Sequence, residues 1–150
     1  MRVIGKYLLL ALVGVAGMVH ADEAGEAALG YRQALFKTIR WNFIPMSEMA
    51  RGKRPFDVVE ARKRALAVSY LSVLLSEAFP AGSGSSAGTT DALDELWKQP
   101  EDFAAKLKSF QVEANALRSV AEQGDEARFA AQFKKLGASC KACHDKYKAD

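Results

Sequence analysis

Ser139–Tyr147 reads SCKACHDKY: Cys140 and Cys143 stand three apart, His144 follows at once, and these are the only two cysteines in 150 residues. Four chemistries suit two thiols and an imidazole at this spacing. A Cys140–Cys143 disulfide is one, although a regular helix holds side chains at i and i+3 in an awkward geometry for it. A thioredoxin-like redox pair is the second, but that motif belongs at a strand-to-helix junction. A metal site of two thiolates and one imidazole is the third, and it is a ligand short. The fourth is covalent haem, for which C-x-x-C-H is the attachment signature. Two thiols one helical turn apart reach the two vinyl groups along one haem edge, and the next residue offers its imidazole to the iron. Every spacing has a job in that last account.

The other end of the chain sets the compartment. Met1–Lys6 is short and basic, Tyr7–Val19 is apolar, and Val19-His20-Ala21 has the small-residue pattern of a cleavage site. This order is that of a secretory signal peptide over residues 1–21, cleaved to leave a single domain over 22–150. Its thirteen apolar residues fall short of the roughly 20 that span a bilayer. The expected location is the periplasm, with no membrane attachment after processing. Removal of Arg2 and Lys6 lowers the net charge from +3 to +1. With no basic stripe interleaved with aromatics, nucleic acid is not an expected partner. His20 leaves too, so His144 is the one histidine of the processed chain, and a site with several imidazoles from one subunit is excluded. Export also permits disulfides, so that reading stays open.

The elements that must position these groups are helices. Four segments repeat apolar residues at helical spacing. In the first, Leu29, Phe36, Ile39, Phe43 and Met46 form a stripe with Arg32 on the same side, and Pro45 is expected to kink or end the helix nearby. The second runs from about Asp57 to Phe79, with Val59, Leu66, Tyr70, Val73 and Leu74 predicted on one side. In the third, Phe103, Leu107, Phe110, Ala114, Leu117 and Ala121 alternate steps of four and three, between Pro100 and Gly124. The fourth carries the rhythm through Phe129, Phe133, Leu136, Cys140, Cys143 or His144, and Tyr147. Strand signals are absent, and short links join all but the second and third segments. The prediction is all-α: an antiparallel up-down-up-down four-helix bundle, with the Cys-Cys-His group turned toward its interior.

An exported four-helix bundle with CKACH in its last helix resembles the cytochrome c′ family, the class II c-type cytochromes. Further segments carry the resemblance: YRQALF (Tyr31–Phe36), ELWKQPEDF (Glu95–Phe103) and FKKLGASCKACHDKY (Phe133–Tyr147). It spans about residues 24–149. The resemblance implies haem c held by Cys140 and Cys143, with His144 as the iron ligand. It also implies that Phe36, four positions after Arg32, faces the iron's open side, where low-spin relatives carry a methionine ligand.

The residues agree with that implication. The processed chain holds two methionines, Met46 and Met49, and Met46 lies ten residues beyond Phe36, about 15 Å along a helix. A five-coordinate iron beneath a phenyl ring is therefore expected. Such a pocket disfavours O₂, which gains from a hydrogen-bond donor, and admits nitric oxide and carbon monoxide as small gas ligands. Alternatives are a low-spin electron carrier ligated by Met46 and a haem-free helical protein with a disulfide. Arg32 is either a partner for a haem propionate, as the resemblance implies, or a solvated surface cation. Lys148, one turn after His144, matches a basic position of the family. A periplasmic redox partner and a homodimer paired through the first two helices are further implications of the resemblance. No nucleophile, base and orienting group assemble, so an enzyme is not expected.

Overall fold

Helix α1 runs from Leu12 to Ala50, in a computed structural model that describes the backbone of residues 12–149 and the side chains of 23–149. The signal expected over residues 1–21 lies outside the described side chains, and residues 1–11 lie outside the described backbone. No described helix is long and apolar enough to cross a membrane. The remaining helices are α2 (Val58–Leu74), α3 (Glu95–Lys98, a single turn), α4 (Pro100–Gln123) and α5 (Glu126–Tyr147). Among the described residues there is no β-strand, only an isolated bridge between Ala92 and Lys148.

Local chemistry sets the helix ends. Pro45 lies inside α1 and does not end it, contrary to one of the two outcomes expected of it. The end comes at Gly52, whose φ of +65° reaches the left-handed region. There Lys53 N–H donates to Glu48 O (2.9 Å) and Gly52 N–H to Met49 O (3.0 Å), the paired closure of a Schellman motif. Helix α2 starts where the Asp57 carboxylate accepts from the N–H groups of Val59 and Glu60. Pro100 opens α4, and Gly124 (φ +73°) closes it. The Asp125 side chain then caps α5 by accepting from Arg128 N–H at 2.9 Å.

Cross-helix contacts establish the antiparallel order. Arg64 Nη1 approaches Asn42 Oδ1 (3.5 Å) while Tyr31 O–H donates to Glu77 at the other end of the same pair. Between α2 and α4, Ser69 pairs with Asn115 and Arg62 with the Ala121 carbonyl. Between α4 and α5, Gln132 reaches Glu113 and Tyr147 O–H donates to Asp102. Each long helix thus packs against its sequence neighbour, and α1 also packs against α5 through Phe43 and Phe133, ring centroids 4.5 Å apart. The four-helix bundle follows as expected.

The stripe of α4 is buried as read, with Leu107 half-buried. Phe129, Phe133, Leu136 and Tyr147 of α5 are buried too, but Cys140 and Cys143 are only half-buried, and His144, expected to face the interior, is exposed beside them. The stripe of α2 is not buried. Val59 (71% exposed), Tyr70 (62%) and Val73 (53%) face outward. The buried side is Ala61, Ala65, Val68, Ser72 and Leu75, an equally regular alternation of four and three. Its small residues let neighbouring backbones approach. The Ser72 hydroxyl is satisfied by donating to Ser69 O (2.7 Å), so burying it leaves no unpaired donor. Large apolar residues made the wrong face look like the core.

The connector between α2 and α4 is tied down at both edges. On one side Arg32 and Gln33 of α1 donate to Ser83, Thr90 and Thr89. On the other, Leu93 N–H donates to Tyr147 O (2.9 Å) and Ala149 N–H to Asp91 O (2.8 Å). It therefore straps α1 to the end of α5, across the region where the Cys-Cys-His group lies.

Candidate functional site

A cavity of about 1350 Å³ opens beside that strap, larger than the roughly 300–1,000 Å³ of ordinary small-molecule sites. Cys140, Cys143 and His144 of α5, Phe36 and Arg32 of α1, and residues 89–92 of the connector all line it. The five residues singled out from sequence are thus brought to one space. Phe79, Phe103, Leu107 and Phe110 add an aromatic and aliphatic wall, with Phe79 set edge-on to Phe103 at 4.8 Å. A smaller cavity of about 330 Å³ lies behind this wall and carries none of the thiol or imidazole groups.

The thiols are chemically quiet. Neither cysteine is in a disulfide. Burial pushes the Cys140 thiol up to about 11, and it raises Cys143 as well, with Lys106 opposing. A thioredoxin-like pair needs the reverse, a thiolate favoured at neutral pH. Burial first, then Lys148, lowers His144, with Asp145 opposing. The shift favours the neutral imidazole, the form whose ring nitrogen can bind a metal. Among the described residues no three His, Cys, Asp or Glu side chains converge on one metal position.

Phe36 is 38% exposed, its ring 6.3 Å from that of Phe79. An apolar ring this open on a packed bundle leaves room beside it. Met46 is fully buried in the main core and does not line the cavity. Met49 is equally buried, and its sulfur accepts from Asp57 N–H at 3.4 Å. Neither thioether is available to a group in the cavity, which removes the support for ligation by Met46.

Arg32 is not a solvated surface cation: it is 3% exposed. Its Nη1 donates to Ala78 O (3.2 Å) and Ser83 Oγ (3.0 Å), and its Nη2 to Ser83 O (2.7 Å) and Thr90 Oγ1 (3.2 Å). The guanidinium also lies 5.0 Å from the Phe79 ring centroid. Only Nε–H of its five donors is left over. Burial lowers its pKa, yet all four acceptors are neutral. Lys148 extends to Asp91 of the strap at 3.4 Å.

The residues present fit a macrocycle. Two thiols and an imidazole share one wall, and Phe36, Ile39, Phe43, Phe79 and Phe103 supply apolar lining for the flat faces of a ring. Gly137, one turn before Cys140, also lines the space, and a Cβ built there would meet no atom within 4 Å. Helical glycine costs about 0.8–1 kcal/mol relative to alanine, and no packing within the protein calls for it. It leaves α5 bare where a flat group attached at Cys140 would lie. Phe79 and the strap were not legible as site residues, because they enter from a connector whose path no periodicity predicts. Helical phase alone placed the α5 groups.

A sequence model described as cytochrome c′ matches residues 27–148 of the chain. Among curated proteins, cytochrome c′ of Rubrivivax gelatinosus is 36% identical over 121 residues, which cover 81% of this chain and 93% of that protein. Among solved structures, cytochrome c prime of Shewanella frigidimarina superposes with a TM-score of 0.80 at 41% identity, covering 84% of this chain and 97% of the other. A nitric oxide complex of a cytochrome c prime variant from Alcaligenes xylosoxidans superposes with a TM-score of 0.76 at 32% identity, over 84% of this chain and 97% of that one.

Proposed function

The chain belongs to the cytochrome c′ family, and from that premise we propose that it is an exported, five-coordinate c-type cytochrome that binds nitric oxide and carbon monoxide. The family implies covalently bound haem c. In this chain Cys140 and Cys143 would hold it through thioethers and His144 would ligate the iron. The single observation that carries the reading is the convergence of Cys140, Cys143, His144 and Phe36 on one cavity from which both available methionines are absent. When bound, the haem supplies an iron with one open coordination position.

The chain's own residues decide what that position accepts. Phe36 has no polar hydrogen to donate, so a ligand that needs one, such as O₂, is disfavoured there. Phe79, Phe103 and Leu107 keep the space apolar and limit water. The lowered pKa of His144 favours the neutral form that can coordinate, and the α5 backbone fixes its position one residue after Cys143. A binding and electron-carrying protein fits these groups better than a catalyst. The nitric oxide complex of the Alcaligenes relative supports the choice of gas.

The same reading includes a homodimer. Trp41 (73% exposed) and Ile44 (44%) on α1, with Val59 and Val73 on α2, form apolar surface on the two helices. Surface of this kind on a small domain favours association. Sedimentation of Trp41→Glu against the parent protein is expected to show loss of the dimer.

A ferrous absorption spectrum with and without nitric oxide tests the function. A broad high-spin band that changes on adding the gas is expected. A sharp, split low-spin band insensitive to it overturns the reading, as does a processed chain with no haem mass.

A further inference from the structure

The mouth of the cavity carries a charge that the chain as a whole does not. Eight lysine or arginine side chains, of which only Arg32 is buried, and two aspartates line the cavity, an excess of six on described side chains (residues 23–149) whose net charge is +3. The described side chains that do not line the cavity therefore sum to −3. Both aspartates are already engaged, Asp91 with Lys148 at 3.4 Å and Asp145 with Lys141 at 2.6 Å. Lys106 stands 4.0 Å from Asp102. Lys37 and Arg40 on α1 and Lys134 on α5 are exposed, and no described carboxylate lies within ion-pair distance of them. These three flank the mouth from its two helical sides, one turn apart on α1 and one turn before Gly137 on α5.

A haem has two propionates, so even with both compensated here the cavity lining keeps an excess of four. Segregated charge of this kind steers encounters: a surface of one sign around an opening raises on-rates for oppositely charged partners by about 10–10³-fold. The negative remainder of the surface turns the same partner away from other faces. We propose that the Lys37–Arg40–Lys134 rim docks an acidic-faced redox protein, which exchanges an electron with the haem edge through the opening between α1 and α5. This inference rests on the haem reading above.

Stopped-flow kinetics on the haem-loaded, processed protein test it, with loading read first from the Soret band. The ferrous protein gives one electron to hexacyanoferrate(III), an anion, or to tris(phenanthroline)cobalt(III), a cation. Between roughly 10 and 150 mM salt the Debye length shrinks from about 30 to 8 Å. Over that range the anion's rate is expected to fall by about tenfold or more and the cation's to rise. A Lys37→Glu, Arg40→Glu, Lys134→Glu variant should reverse both trends. A Lys53→Glu, Lys63→Glu, Lys108→Glu variant has the same net charge but leaves the mouth intact, and should retain the parent trends. Reduced plant-type ferredoxin, an acidic protein, should pass one electron to the ferric form with a saturable rate that the first variant loses and the second keeps.

Equal responses of the two variants would overturn the proposal, because net charge alone would then explain the rates. A ferredoxin rate indifferent to the mouth variant would overturn it too, leaving steering of small anions only. A protein without a Soret band fails the haem reading instead, before any rate is measured.

Discussion

Arg32→Met removes the guanidinium and keeps an unbranched apolar stem. Four hydrogen bonds of 2.7–3.2 Å to Ala78, Ser83 and Thr90 disappear. Bonds to a charged donor contribute about 1.5–3 kcal/mol each, so a simple sum overshoots. The cation is buried opposite neutral acceptors, and relief of its desolvation offsets much of the loss. The freed carbonyls are also rehydrated once the strap lifts. A net destabilisation of about 2–4 kcal/mol follows from these opposing contributions. With a urea dependence of about 2 kcal/mol per molar, the middle of the usual range, the midpoint should drop by roughly 1–2 M at equal haem loading. Because the bonds tie the connector to α1, amides of residues 83–93 should lose hydrogen-exchange protection first. Arg32→Lys keeps the charge without the planar fork and should recover less than half of the loss. A midpoint change equivalent to less than about 0.5 kcal/mol, with connector protection unaltered, would refute the role assigned to Arg32 as the clamp of the strap.

Gly137→Ala should stabilise the haem-free protein by up to about 1 kcal/mol through helix propensity, yet lower covalent haem yield or shift the Soret band. An unchanged spectrum and yield would mean that no macrocycle lies against that turn. Phe36→Met should convert the ferrous spectrum to a six-coordinate, low-spin form and slow carbon monoxide binding, whereas an unaltered spectrum would place Phe36 away from the iron. The Tyr147 hydroxyl first, and then Lys146, hold Asp102 below the usual carboxylate range. Its contribution is thus present above about pH 4 and lost as pH falls through the depressed folded value. Asp102→Asn should be less stable than the parent at pH 7 and converge with it on acidification, and parallel acid curves would contradict this.

Helical phase and local caps were legible in the chain itself. The four-and-three alternations of α4 and α5, the Pro100 and Gly124 boundaries and the i, i+3, i+4 relation of Cys140, Cys143 and His144 depend on short-range geometry, which adjacent residues determine. The expected loss of His20 with the signal and the remoteness of Met46 narrowed the ligand set in the same way. The buried face of α2 was decided otherwise. Its alanine and serine stripe is no more apolar than its tyrosine and valine side, and close approach of α1 and α4 selects the smaller one. Tertiary packing alone also decided that α1 continues through Pro45 to the Gly52 closure, that Arg32 turns inward to hold the connector, and that Phe79 and residues 89–92 complete the cavity. The mouth's positive charge belongs to this second group. Lys37, Arg40 and Lys134 are ordinary solvated cations along the sequence. They become one surface only when α1 and α5 lie side by side, because Coulomb interaction follows distance in space and not separation along the chain.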